Sequence, residues 1–379
     1  MAPQVSFLRL PRPRVDGPML AAVLTLVGLG VVMVAASAGS ASTALSGDAL
    51  AILKRQGAFA GLGVFALALG AGIEPALLER RARAIVVVTL ALLVLVLIPG
   101  LGHLAGGARR WLQIGPVGFQ IGEIAKAAVV IYLAAALARR QPARLGQAGL
   151  GLAVHMVVPG VVMALLLLEP DFGTAVLIAA VTFLLLFVGG ARVGYLAGLF
   201  ALAVPVATFV VSTSAYRMRR VMAFLEPWEH RYDIGYQITE SLMTLGSGGV
   251  LGLGLGESKQ RLFFLPAAHT DFILAVLGEE LGFVGVALVV GCFVVIGWRA
   301  LRGALRSSNA FTTLLIVGLA SLLLVQAAFN IAVVLGLVPT KGITLPFVSA
   351  GGSSLLASMF VAGLLMRAVV EATASRGEA

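Results

Sequence analysis

The stretch HTDFILAVLGEELGF, residues 269–283, decides how this chain is read. It is apolar enough to enter a bilayer. Yet it opens with Asp271 and carries Glu279 and Glu280 further on, which at 1.5 Å per helical residue lie about 12 Å deeper. A carboxylate at the centre of a span costs about 2.5–3.5 kcal/mol on insertion scales, so such groups face a polar cavity or a partner. Neighbouring helical positions point about 100° apart. Glu279 and Glu280 are therefore expected to meet different partners, as structural or cavity acids. A Thr270 cap, with Asp271 merely favouring the positive end of its helix, is the plainer reading of the first carboxylate.

The rest of the chain supplies the lipid setting. Hydrophobic residues make up 60% of the sequence and charged residues 12%, about half the charge of a soluble domain. The mean hydropathy is +1.04. Spans of about 20 apolar residues are expected at 18–39, 51–72, 84–101, 119–138, 148–168, 173–190, 193–212, 270–297, 310–336 and 351–370. The fold class is thus an all-α polytopic integral membrane protein of about ten transmembrane helices, read as a single membrane domain over 1–379. The run that begins near Pro18 continues without a small-residue cleavage site and is read as the first span, not a signal peptide. Cys292 stands alone in an apolar run, which excludes an internal disulfide.

Ten spans put both termini, 1–17 and 371–379, on one side. The segments on that side carry 15 Arg, and the short loops opposite carry Lys54, Arg55, Arg109, Arg110 and Lys341. The bias places the termini in the cytoplasm. The net charge of +10 therefore reflects topology rather than nucleic-acid binding. A long extracytoplasmic loop, 213–269, joins helices 7 and 8. Its segment YRMRRVMAFLEPWEHRYDIGYQ mixes Arg217, Arg219 and Arg220 with Trp228, Tyr232 and Tyr236, as suits a segment lying at headgroup level.

Polar residues gather on the same outer side. They occur in GGARRWLQIGPVGFQIGEIAK (106–126), LEPDFGT (168–174), the glycine-rich TLGSGGVLGLGLGESKQRLFFLP (244–266) and VPTKGITLPFVSAGGSS (338–354). Glu123 and Lys126, three apart on one helix face, can pair. The prolines and glycines of 338–354 preclude one clean helix, and irregular backbone at membrane depth is tolerated where it lines a cavity. No serine–histidine–acid set or metal cluster is legible, and His155 reads as a satisfied bundle histidine.

FLPAAHTDFILAVLGEELGF (264–283), GARRW (107–111), EIAK (123–126), EPDFGT (169–174) and PTKGITLPFVSAGGSSL (339–355) resemble, in order and spacing, the motifs of the SEDS family of bacterial shape, elongation, division and sporulation proteins. PTKGITLPF and GLGLGESKQR are more similar to its division members than to its elongation members. Gly106, Ile121–Gly122, Ala267 and Ala350 depart from the family's usual residues. The resemblance implies a peptidoglycan glycosyltransferase that polymerises lipid II at the outer face of the cytoplasmic membrane, with Asp271 as the catalytic residue. A carboxylate there can take the proton of the attacking sugar hydroxyl. The leaving lipid pyrophosphate needs positive charge. Arg109, Arg110, Lys126 and Lys341 are candidates, with Arg110 and Lys126 favoured. Glu123 and Asp171 can hold Lys126 or help bind a divalent cation, Mg²⁺ or Mn²⁺, which the resemblance also implies. No organic cofactor is expected. Trp111 can stack on a sugar. His269, Ser349, Ser353 and Ser354 complete the candidate substrate-binding set. The implied partners are lipid II, the lipid-linked glycan, a class B penicillin-binding transpeptidase and other division or elongation proteins. A lipid II transporter and a non-catalytic scaffold are the competing readings.

Overall fold

The computed structural model describes residues 15–45, 49–105, 108–114, 117–139, 150–257 and 270–374. Ten helices match the ten expected spans. They are α1 (Gly17–Leu45), α2 (Ala49–Gly72), α3 (Pro75–Leu97), α4 (Ile121–Ala138), α5 (Leu150–Leu168), α6 (Phe172–Val188), α7 (Val193–Ser212), α10 (Ile273–Arg306), α11 (Ala310–Val334) and α12 (Gly352–Ala374). Six contain stretches long and apolar enough to cross a membrane, and His155–Leu168 and Phe172–Val188 are shorter apolar segments. With Phe65, Phe200, Phe209 and Val193 turned outward, this is the surface of a multi-pass membrane protein.

Local chemistry sets the boundaries. Pro75 opens α3, where its missing N–H costs nothing. Asp171 caps α6 by accepting from the Thr174 N–H at 3.2 Å. Asn309 caps α11 by accepting from Phe311 N–H at 2.8 Å. The sixth and seventh helices part at Gly189–Gly190, where Gly190 takes φ +90°, open to glycine at no steric cost. At the heart of the bundle α11 packs on α4, α6, α10 and α12. Helices α2 and α12 cross so closely that a Cβ at Gly363 would collide with the Leu67 carbonyl oxygen.

Two features lie beyond an all-helical expectation. Between α3 and α4 the chain forms a three-stranded antiparallel sheet, β1 (Gly102–Ala105), β2 (Ala108–Ile114) and β3 (Val117–Gln120), in which Trp111 pairs with His103 and with Gln120. The 213–269 loop is also partly folded into the bundle. Its α8 (Ala215–Leu225) is amphipathic, but α9 (Tyr236–Ser247) buries Ile238, Thr239, Glu240, Ser241 and Thr244. Behind α9, the glycine-rich strip 249–254 runs along a break in α10. Gly282 leaves helical geometry at φ +67°. Leu253 and Gly254 N–H then donate to the Glu279 and Glu280 carbonyls, while Phe283 and Val284 donate to Gly249 and Val250. Backbone groups freed by the break thus find partners in the loop, as depth in the membrane demands. Glu279 and Glu280 sit buried against this strip, with Ser247 donating to Glu279 at 3.4 Å.

Candidate active site

Asp271 stands in the turn before α10, at a wall shared by two cavities. The smaller, about 320 Å³, is lined among others by Trp111, Gln120, Glu123, Lys126, Gln326 and Ser354. The larger, about 640 Å³, is lined among others by Asp171, Phe172, Arg217, Arg220 and Lys341. Arg110, Gly173 and Gly342 also line both. Residues from β2, α4, α6, α8, α11, the turn before α10 and the segment before α12 thus converge at one end of the bundle.

The frame that holds Asp271 is made of neutral hydrogen bonds. Asn330 Nδ2 donates to the Asp271 and Ile343 carbonyls, each at 2.8 Å. Ser349 Oγ donates to the Thr270 carbonyl at 2.6 Å and accepts from Leu345 N–H. Thr344 and Ser354 share a hydroxyl contact of 2.8 Å. The segment 338–351 is irregular, as its prolines and glycines require, and these bonds replace the helical ladder it lacks. Gly342 lies so close that a Cβ there would approach the Asp271 carboxylate to 3.3 Å.

The two chambers differ in charge. In the smaller one Lys126 is buried, 3.0 Å from Glu123 and donating to Gln326 Oε1 at 2.6 Å. Besides Arg110 and Asp271, which it shares with the larger chamber, the lining is amides, hydroxyls, the Trp111 ring and the aliphatic Leu177 and Ile343. The larger chamber faces Arg217, Arg220 and Lys341 against Asp171 and Asp271. Lys341 Nζ lies 3.5 Å from the Phe172 ring centroid, with the Arg217 guanidinium 5.5 Å from the same ring, so one aromatic ring serves two cations. Burial, and then Arg217 and Arg220, push the Lys341 ammonium down to about 8, against a raising effect of Asp171. Burial raises the Asp271 carboxyl to about 6, with Arg220 opposing. A carboxyl poised there is matched to proton abstraction near neutrality.

Other expected residues have structural engagements. Arg110 donates to the Glu169 and Pro170 carbonyls at 3.0 and 2.6 Å, bracing the turn before α6. Asp171 accepts from Gln120 Nε2 at 3.0 Å and from Thr174. Ser353 and Ser354 line the smaller chamber, whereas Arg109 lines neither. Ser349 acts on the frame. Glu279 and Glu280 lie below the chambers, and His269 lies outside the described residues. Among the described residues no three His, Cys, Asp or Glu converge as a metal set.

Sequence reading passed over Asn330, Gln326 and Gln120, and read Arg217 and Arg220 as headgroup-level residues rather than as part of the site. For the last two a signal existed. Positions 217 and 220 are three apart and share a face of α8, while Arg219 points away to an exposed pair with Asp233 at 3.3 Å.

The profile of the FtsW/RodA/SpoVE cell cycle proteins matches residues 18–374. The chain belongs to this family. FtsW/RodA/SpoVE relatives include a probable peptidoglycan glycosyltransferase FtsW of Geobacter sp. (strain M18), 42% identical over 92% of this chain and 94% of that one. A second, from Thioalkalivibrio sp. (strain K90mix), is 42% identical over 95% and 91%. Two solved structures share the fold. A chain of a peptidoglycan synthase complex that coordinates polymerization and crosslinking is 32% identical, with TM-score 0.79 over 97% of this chain and 99% of that one. The rod shape determining protein RodA of Thermus thermophilus is 29% identical, with TM-score 0.69 over 94% and 96%. The FtsW relatives agree with the division-type motifs read from the sequence.

Proposed function

We propose that this chain is a peptidoglycan glycosyltransferase that polymerises lipid II, with Asp271 as general base. The single observation that carries the reading is the position of Asp271 between a cationic chamber and a polar one of balanced charge. A lipid pyrophosphate suits the first, where Arg217, Arg220 and Lys341 meet the charge that develops on the leaving group. Sugars suit the second, with its amides, hydroxyls and indole. The hydroxyl of the incoming lipid II gives its proton to Asp271 as its oxygen attacks the anomeric carbon of the growing strand. The bond to pyrophosphate breaks with its electrons, and the anomeric configuration inverts.

The charge bias supports cytoplasmic termini and an extracytoplasmic site. Likeness to the synthase complex supports a penicillin-binding transpeptidase as partner, alongside other division proteins. Asp171 and Asp271 are the carboxylates facing the larger chamber, which fits Mg²⁺ or Mn²⁺ bound chiefly through substrate phosphates. Such an ion would supply charge neutralisation at the pyrophosphate. One observation favours a second reading: the break in α10 beside deep carboxylates resembles the discontinuous helices of transporters. The test is gel analysis of glycan made from lipid II by the purified, reconstituted chain, with and without transpeptidase and divalent metal. Polymer that disappears in Asp271→Asn is expected. Lipid II translocation in liposomes without any polymer, under all conditions, would replace the enzyme with the transporter.

A further inference from the structure

The end of the bundle opposite the two chambers holds a separate cavity of about 340 Å³ among α3, α4 and α5. Helix α3 runs from it towards the sheet and α4 runs back, so the first turns of one meet the end of the other. Arg83, Tyr132, Arg139 and His155 furnish its polar lining. His155, 3% exposed, is thus a wall of a cavity as well as a bundle residue.

The charge of this cavity is unbalanced. Among the described residues neither Arg83 nor Arg139 forms an ion pair. Arg139 donates to the backbone carbonyl of Glu79 at 3.0 Å. The Glu79 carboxylate, one turn before Arg83, also makes no such pair. Arg80 and Arg81 stand exposed beside them. No acidic residue occurs in sequence between Glu123 and Glu169. Two guanidinium groups from different helices, without counter-ions at the mouth of one cavity, suit a phosphate, which their planar forks bind in bidentate fashion. The volume exceeds that of a bare phosphate and falls within the range of small-ligand sites. One turn along α3 from Arg83, on the same face, Val87 is 62% exposed and offers apolar surface to a chain attached to that phosphate.

We propose that this cavity binds the phosphate of an anionic lipid headgroup, on the leaflet opposite the chambers. Basic pockets between spanning helices recognise such headgroups. The inference is independent of the glycosyltransferase reading.

The test uses the purified full chain in phosphatidylcholine nanodiscs, titrated with cardiolipin, phosphatidylglycerol or water-soluble glycerol phosphate. Lipid retention is read by native mass spectrometry, and stabilisation by thermal melting. Wild-type protein is expected to retain and be stabilised by the anionic lipids. The Arg83→Ala/Arg139→Ala variant should lose affinity by about tenfold or more, and Arg83→Lys/Arg139→Lys should recover part of it. Arg83→Ala alone removes no hydrogen bond among the described residues, so its folding should be unchanged while its lipid affinity falls. Unaltered retention in the Ala variants would overturn the proposal. Equal binding of glycerol phosphate would overturn its lipid part and assign the site to a soluble phosphate.

Discussion

Asn330 ties the Asp271 backbone to the segment that faces it: one side-chain amide donates at 2.8 Å to the carbonyls of both Asp271 and Ile343. Asn330 is fully buried near the end of α11. Removing it leaves two carbonyls short of a donor, at about 1–3 kcal/mol for a buried group. Asn330→Ala is therefore expected to lower the melting temperature and to cut polymerisation more than the loss of folded protein explains. Because the surroundings of Asp271 change, the acid limb of the pH profile should move as well. A profile of wild-type shape, with activity falling only as folded protein falls, would reduce Asn330 to a packing residue.

Asp271 itself predicts a pH dependence. Its carboxyl titrates near 6 because burial disfavours the charge. Only the deprotonated form accepts a proton, so activity is present above that value and lost as pH falls through it, tending to about tenfold per pH unit well below. Asp271→Asn cannot act as base and should lose about 10²–10⁴-fold. A steady rate from pH 5 to 8 in wild-type protein would remove Asp271 from the rate-determining proton transfer.

Which parts of this were legible in the sequence follows from the physics of each. Spans announce themselves by apolar length, and α7, expected at 193–212, runs Val193–Ser212. Titratable residues near spans also announce themselves, because lipid makes them costly. The sheet did not, since strands of 4 to 7 residues broken by glycine carry no span-length signal. Asn330 and Gln326 were silent for another reason. A single neutral amide in an apolar helix leaves the hydropathy of the span intact, and only the folded chain shows which carbonyl it meets. The inward turn of α9 and the glycine strip was hidden because its partner, the break at Gly282, is a backbone event within a run that reads as continuous helix.

Lys126 forms a buried polar set with Glu123 and Gln326, and that set predicts non-additive substitutions. Lys126→Met strands a buried carboxylate at 3.0 Å. Breaking a buried pair from one side costs about 3–5 kcal/mol. Lys126→Met/Glu123→Gln removes both charges and should regain most of that stability without regaining polymerisation. Thermal melting of the singles and the double yields the coupling. Additive losses would mean that the two groups do not depend on each other.

Glu169 predicts how stability changes with pH. It is 1% exposed, and among the described residues neither carboxylate oxygen has a hydrogen-bond partner. Burial, and then Asp171, raise its carboxyl to about 8, with Arg110 opposing. The folded state therefore holds this proton more tightly than the unfolded chain, so the contribution is full below the ordinary Glu value near 4.5 and is lost as pH rises through about 8. The slope in between is at most about 1.4 kcal/mol per pH unit. Glu169→Gln keeps the shape without the titration, so its melting temperature should fall less than that of wild type between pH 6 and 9. Parallel curves would show that Glu169 is already ionised in the folded protein.

Arg220 links the cationic chamber to Asp271. Its guanidinium donates to the Thr340 carbonyl at 2.7 Å, lines the chamber that Asp271 shares and holds the Asp271 carboxyl below where burial alone would put it. Removing this charge must raise that carboxyl, because the ionised form loses a favourable neighbour. Arg220→Ala is thus expected to shift the acid limb to higher pH, so that its deficit is larger at pH 6.5 than at 8.5, and to raise KM for lipid II several-fold through lost phosphate contact. Arg220→Lys should keep the limb near its wild-type position. Arg219→Ala, on the exposed face of the same helix, should change neither quantity. Were Arg219→Ala and Arg220→Ala to behave alike, the helix would act through its overall charge at the membrane surface, and the electrostatic link from Arg220 to Asp271 would fall.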